Sequence, residues 1–567
     1  MANEPFPGAI LTTAGQELRG RPTALLPWTT RLRHWLVTQP ATAAATVAIA
    51  FAAGWGLPFL LRRLVRFVFQ RRTDPDFAGH PRAPHGSFLA TAAVCVASFS
   101  AVITGPSFRL FDAESFGQFY DYQMASLLAG RLDVPEAALS SESFLHDGKF
   151  YGYFGPTPAL LRLPFALAGL GFGRLSRLYM VLYYAGALIA AYALLIQASR
   201  WLSRRPTWPG RGSVVVLVGS AGLGSTLFFL GSRAYIYHEA ILCGVLFALW
   251  SASASLRWLA EPTRHRWWLL ALAGGVLSVH SRPPTGLFAL GVLGLTAAAL
   301  LVRSWQDGRR TTGGDPENLP ARECLRWPLP AAVGLLAIGG VLSFNVLSYL
   351  KFRSFEGAQL RYHVQYHAER LAVTEGRNFH VANVPFGLAN YFWRPGLLVR
   401  PTFPYVYIDG CDPAGFPGCR IDLAEKTLGL PYAMPALVLL SGFAVVTAVF
   451  RWPAARLPTG ILVAGVLPMT LALLAAIAVS QRYTGDFVPF LVATGAFGVA
   501  ALDAWVPAAR RNLFGLASVL SVAGMLLTFA ITLHYQGEGV WGVPDATRAR
   551  YLALRHHADH FLGFSSP

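Results

Sequence analysis

Between two apolar runs the chain carries FDAESFGQFYD, residues 111–121, with Asp112, Glu114 and Asp121 close together. Carboxylates beside a hydrocarbon segment are costly unless they have a partner or a task. A positioned carboxylate can take a proton as general base, or an Asp can cap a helix. A metal is a third use: His238, beside Glu239, would have to join Asp112 or Glu114, although His-Glu adjacency is no ligand spacing. If a helix starts after Phe111, Asp112 and Glu114 diverge by about 200°. Only one then faces a site: Asp112 is the first choice of base and Glu114 the second. Glu114 would share its helix face with Gln118 and Asp121.

Cationic partners lie far along the chain, as Arg233 in GSRAYIYHEA, Arg282 in HSRPP and Arg482 in QRYTGDF. Arg282, at a helix end, either has a partner or function or snorkels to the interface. Arg482, followed by Tyr483, either binds a ligand or pairs with Asp486 four residues on. A lone outer Arg233 reads as solvated, and Glu239 as an acid favouring a helix N-terminus. The aromatics of 351–426, among them Tyr362, Tyr366, Tyr391, Trp393, Tyr405 and Tyr407, suit an interfacial belt and small loop core, or sugar stacking.

The elements that must position these groups are apolar. Of 567 residues, 54% are hydrophobic and 13% charged, about half the charge of a soluble domain. Windows free of Asp, Glu, Lys, Arg and His recur at 41–61, 88–108, 178–199, 213–232, 240–256, 283–302, 327–350, 427–450, 457–481, 487–502 and 512–533, with a short one at 267–279. Each approaches the roughly 17–25 residues of a membrane span, so the pattern predicts an all-α polytopic membrane protein of about twelve transmembrane helices. The net charge of +18 is spread between spans rather than gathered on one face, which argues against nucleic acid. The first apolar run starts too far from Met1 for a cleavable signal peptide.

Arg-rich loops stay cytoplasmic. Loops 62–87, 200–212, 257–266 and 303–326, with Arg451/Arg456 and Arg510/Arg511, therefore face inward. Loops 109–175, 233–238, 280–284, 351–426 and 481–486 and the tail face outward, where the polar chemistry gathers, and Met1 falls outside. Residues 158–173 read as a surface helix. Cys411 and Cys419 bracket CDPAGFPGC in the outer loop, where oxidation is possible and a disulfide between them is expected; Cys95, Cys243 and Cys324 read as free thiols. The segments are 1–87, with one extra span; a core of 88–350; the outer loop 351–426; C-terminal helices 427–534; and a tail, 535–567.

With FDAESF, LLAGRL, DGKFYGYFGPTPALLRLP, SYLKFRSFEG and QRYTGDFVPFL in this order, the chain resembles the GT-C superfamily of integral-membrane glycosyltransferases, the group of protein O-mannosyltransferases and lipid A aminoarabinose transferases. The likeness runs from about residue 88 to 505 through short motifs. The family's adjacent Asp-Glu pair is spread here as Asp112-Ala113-Glu114. The resemblance implies a GT-C-like bundle and inverting transfer of a sugar from a polyprenyl-phosphate donor to an extracytoplasmic acceptor, an envelope glycan, lipid or protein. It also implies an outer-loop base, Arg282, Arg482 and Arg233 as phosphate ligands, and a bacterial-type plasma membrane. Some members use a divalent cation; no tightly bound metal or other cofactor is expected here. A transporter or flippase of a lipid-linked sugar, and a noncatalytic envelope-polysaccharide assembly protein of the same fold, are the alternatives.

Overall fold

Lipid offers no hydrogen bonds, so an apolar run buried in it satisfies its backbone by becoming helical. The computed structural model describes residues 84–105, 108–202, 208–311, 328–505, 507–538, 540 and 542–563. Every apolar window within these ranges has its helix. The window at 41–61, the side on which Met1 lies, the segment 1–83 and Cys324 fall outside the described residues.

Eight helices are long and apolar enough to cross a membrane. They include α1 (His85–Thr104), α5 (Ser176–Leu202), α7 (Ile236–Ala260), α9 (Pro283–Thr311), α10 (Pro328–Phe352) and α12 (Pro453–Ala475). The other two are α13 (Val488–Asp503), extended by the 3-10 turn Gln481–Phe487, and α14 (Pro507–Gly537). α6 (Arg211–Gly222) and the turn Thr226–Ser232 form a pair bent by 41° that counts as a ninth if it is one span. α8 (Arg266–Val279) and α11 (Pro435–Phe450), at 14 and 16 residues, are short apolar helices. Among the described residues the protein is thus an all-α polytopic membrane protein with eight or nine spans by length, against about twelve from the windows. The difference lies in these short helices and in the segment not described.

α7 is the inner post. It packs against α5, α8 and α9, while α11 packs along α13 and α9 along α12. The α11–α13 approach needs glycine, because a Cβ on Gly498 would meet the Leu440 carbonyl oxygen at 2.0 Å. α10 instead leaves Leu335, Ile338, Leu342 and Leu350 bare, the face a lipid-exposed helix presents.

Contacts sort the helix ends into two sets. At one, Asp503 of α13 accepts from Gly210 N and Ser213 Oγ, both at 2.8 Å. At the other, Gln536 of α14 donates to the carbonyls of Val102 (3.2 Å) and Ser232 (2.9 Å). That second end carries the loops 108–175 and 353–429.

In the first of these loops come α2 (Phe119–Leu128), the hairpin β1 (Phe144–His146) and β2 (Lys149–Tyr151), and the short helices α3 (Thr157–Leu161) and α4 (Leu163–Ala168). The surface helix expected at 158–173 is therefore two short pieces broken at Arg162, with Pro164 in the first turn of the second. Its outer side exposes Leu167, Leu170 and Phe172, but the Arg162 side chain is wholly buried. The second loop pairs β3 (Leu397–Val399) with β4 (Val406–Ile408) and sends β5 (Leu423–Ala424) to pair in parallel with β6 (Ala478–Val479). Cys411 and Cys419 are free thiols on a small apolar cluster with Phe386 and Tyr391. The expected disulfide is not formed: the Cys411 thiol donates to the Glu425 carbonyl at 3.0 Å. After the last span, α15 (Asp545–Phe561) docks on the second loop, with Phe403 N donating to Asp559 at 2.7 Å.

Candidate functional site

No helix begins after Phe111. Residues 111–118 are turn and irregular backbone, Phe116 has φ 56°, and α2 starts only at Phe119 with Gln118 at its N-cap. Asp112 is therefore not a helix cap, and the 200° divergence of helical geometry does not arise. Both carboxylates reach one cation instead. Arg177, in the first turn of α5, donates Nη1 to Asp112 at 2.9 Å and Nε to Glu114. The Glu114 side chain is 2% exposed and that of Asp112 40%. Burial pushes Glu114 up to about 7, with the Arg177 charge opposing.

Deeper in the same loop lies an ion network that patterning missed. Arg162 donates to Asp121 at 2.9 Å, to both oxygens of Glu239 at 2.8 and 2.9 Å, to Ser176 at 3.0 Å and to the Gly117 carbonyl at 3.0 Å. Gly173 N also donates to Asp121, at 3.0 Å. Burial raises the Asp121 pKa while Arg162 and Gly173 N oppose it. Arg162 and Glu239 have no exposed side-chain surface. Asp121 and Glu239 thus come together, on a buried guanidinium that fixes the loop to α7. Arg162 carried a weak signal, a lone cation inside an apolar stretch.

Arg282 forks onto Asp486, with Nη2–Oδ2 at 2.8 Å and Nε at 3.1 and 3.2 Å from the two oxygens. The local Arg482–Asp486 pair, one of the two readings of Arg482, is not formed: the 3-10 turn from Gln481 does not present residues four apart as an α-helix does. Arg482 instead holds Glu425 of the second loop, with two contacts of 2.8 Å. The Glu425 carboxyl is lowered; burial would raise it, but Arg482 and the Ser480 hydroxyl outweigh that. Tyr483 lies under both cations, 4.8 Å from Arg282 and 5.1 Å from Arg482. Arg233 is not the solvated residue expected: it is 5% exposed and stacks 4.2 Å above Tyr235 and 5.4 Å from Tyr535.

These cations share one aromatic wall. Arg482 lies 5.2 Å from the Tyr237 ring, and Tyr237 is stacked at 5.3 Å on Tyr235. Tyr153, from the YGYFGPTP turn, faces Tyr237 at 6.1 Å. Phe116 of the acidic turn lies 5.8 Å from Tyr235, which brings that turn to the wall's edge. The Tyr153 turn is pinned from below: buried Lys351 donates to the Gly152 and Phe154 carbonyls at 2.9 and 3.0 Å. A Cβ at Gly155 would fall 2.0 Å from the His280 carbonyl oxygen, so that position admits only glycine.

The acidic turn and the cations of Arg233, Arg282 and Arg482 therefore occupy one end of the bundle, at its loop-covered side. Of the aromatics in the second loop, Tyr391 and Tyr407 are buried and Trp393 is exposed. A divalent cation does not fit the groups considered for it. Asp112 and Glu114 are both engaged by Arg177, while His238 is buried and donates through Nδ1 to the Leu230 carbonyl at 2.9 Å. Among the described residues no three His, Cys, Asp or Glu side chains are grouped to hold an ion.

No family model and no curated protein sequence matches the chain. Solved structures are similar to it at low identity. The oligosaccharyltransferase of Archaeoglobus fulgidus in the apo form is 12% identical with a TM-score of 0.40, over 82% of this chain and 59% of that one. ArnT from Cupriavidus metallidurans bound to undecaprenyl phosphate is 13% identical with a TM-score of 0.38, over 84% of this chain and 72% of that one. The chain thus spans 59% of the length of the archaeal enzyme.

Proposed function

We propose that this protein is a membrane glycosyltransferase that takes a sugar from a polyprenyl-phosphate donor and passes it to an extracytoplasmic acceptor. The observation that carries the reading is the set of Arg233, Arg282 and Arg482 on one tyrosine wall at the loop-covered end of an apolar bundle. A lipid phosphate leaving group gains negative charge as the glycosidic bond breaks, and preorganised guanidiniums stabilise that charge. The bundle gives the lipid tail its solvent, and the tyrosines offer flat faces to a sugar.

In this reading Asp486 and Glu425 orient Arg282 and Arg482. Tyr483 keeps the two guanidiniums side by side, and the Arg162 network with Asp121 and Glu239 fixes the loop above them. The acceptor must lose a proton as it attacks. A carboxylate of the first loop takes it; Asp112 and Glu114, the pair the sequence points to, are both held by Arg177. Attack from the face opposite the phosphate would invert the anomeric carbon.

A flippase of the lipid-linked sugar would hold its ionisable groups near mid-membrane on broken helices. Here the paired charges gather at helix ends. The test is binding of undecaprenyl phosphate to the purified protein in nanodiscs, followed by transfer from tritiated undecaprenyl-phosphate hexoses. Binding that is lost in Arg282→Gln and Arg482→Gln, with release of sugar by the parent, supports the enzyme. Movement of intact donor across vesicles with no sugar released would sink it.

A further inference from the structure

Glu142 stands where three separate chain segments meet. It precedes β1 in the first loop; Tyr237, in the first turn of α7, donates its hydroxyl to Glu142 Oε2. His363, from the second loop, places Nε2 3.8 Å from the same oxygen. The Gln365 backbone N–H donates to His363 Nδ1 at 3.1 Å, so the neutral ring carries its proton on Nε2, toward Glu142. The two loops are fastened at this point: Val364 N donates to the Ser143 carbonyl at 3.0 Å and Gln365 Nε2 to Ser141 Oγ at 2.7 Å.

The result is a carboxylate with one oxygen committed and one open. Oε1 accepts no hydrogen bond from the described residues, and the side chain is 14% exposed. Its hydroxyl partner Tyr237 is the ring that packs against Arg482, which puts Glu142 one side chain away from the cations. Asp112 and Glu114 are placed otherwise. Both are bound to Arg177, a cation outside that set.

We propose that Glu142 is the general base of the transfer reaction, with Tyr237 and His363 as positioning residues and the Asp112–Glu114–Arg177 clamp as the anchor of the first loop. This rests on the glycosyl-transfer reading. An acceptor hydroxyl or amine gives its proton to Oε1 as its oxygen or nitrogen lone pair forms a bond to the anomeric carbon. The bond from that carbon to the phosphate oxygen breaks, and its electron pair leaves with the lipid phosphate held by Arg282 and Arg482. Tyr237 donates to Oε2 with His363 3.8 Å beside it, so Oε1 is the oxygen presented. The Glu142 carboxyl is lowered; burial would raise it, but His363, Tyr237 and Arg482 outweigh that, so the base is ionised at neutral pH.

The experiment compares parent, Glu142→Gln, Glu142→Asp, His363→Ala and Asp112→Asn in nanodiscs, measuring undecaprenyl phosphate binding and transfer from tritiated undecaprenyl-phosphate hexoses. Glu142→Gln should lose about 100-fold or more in transfer, the range of a general base, while binding the lipid phosphate as tightly as the parent. Glu142→Asp should keep part of the activity, and His363→Ala should shift the acid limb of the pH profile. Transfer by Glu142→Gln within a few-fold of the parent, or loss of binding and transfer together, would overturn the assignment and leave the enzyme reading standing. So would the full loss falling on Asp112→Asn alone. A parent that binds the lipid yet releases sugar from no donor would overturn the enzyme reading, and the base with it.

Discussion

Arg282 and Asp486 are 204 residues apart in the chain and form a two-pronged ion pair, with Asp486 fully buried and Arg282 nearly so. The contact ties the start of α9 to the turn before α13. A buried pair contributes little net stability when intact, but removing one partner strands the other charge and costs about 3–5 kcal/mol. Asp486→Leu should therefore lower the thermal midpoint of the purified protein markedly. The double substitution Arg282→Met/Asp486→Leu should recover most of that loss while still failing to bind undecaprenyl phosphate. If the double variant is as unstable as the single one, the pair is not the cause.

Arg162 makes contacts with four residues that a lysine cannot copy, because one ammonium does not fork onto Asp121 and Glu239 at once. Arg162→Lys should behave almost as badly as Arg162→Met, and both should yield little folded protein by size-exclusion chromatography in detergent. A well-folded Arg162→Lys would show that charge alone suffices at this position.

Arg482 tests the anion reading by affinity. Arg482→Gln should weaken undecaprenyl phosphate binding at least about tenfold, which corresponds to about 1.4 kcal/mol. Glu425→Gln, which leaves the cation without its partner, should not weaken it. Isothermal titration in nanodiscs distinguishes these, and equal losses in both variants would mean that the pair serves only the fold.

Glu114 sets a pH dependence. Its folded pKa of about 7 lies above the ordinary 4.5, so the folded state holds the proton more tightly than the unfolded one. That contribution is complete below pH 4.5 and is lost as pH rises through 7, at no more than about 1.4 kcal/mol per unit. Glu114→Gln should flatten the fall in thermal midpoint between pH 5 and 8. An unchanged slope would place the titrating group elsewhere.

Sidedness can be read directly. A single cysteine at Asp409, in a background without the native thiols, should react with an impermeant maleimide on intact cells. One placed at Arg264 should not. The reverse pattern would invert the whole arrangement.

Much of this was legible in the sequence because lipid enforces a simple rule. Runs without charge became helices, and among the described residues the Gly210 end of α6 and the carboxylate-bearing loops lie at opposite ends. Arg282, Arg482, Tyr483 and Asp486 were singled out by type and converge, yet their pairing was not foreseeable. Which acid meets which cation depends on α9 lying beside α13, and no local spacing encodes that. The divergence of Asp112 and Glu114 holds only for a helix after Phe111, and the chain turns there instead. Arg177 and Glu142 gave almost no signal, since one Arg at a helix start and one Glu in a polar loop are ordinary until a distant segment arrives.

The short parallel pairing of Leu423–Ala424 with Ala478–Val479 brings Glu425 opposite Ser480, whose hydroxyl donates to it, and against Arg482. Peeling the large loop back at this edge would strip the guanidinium of its counter-charge in the same movement. The attachment of the loop and the counter-charge of Arg482 are thereby one mechanical unit at that corner.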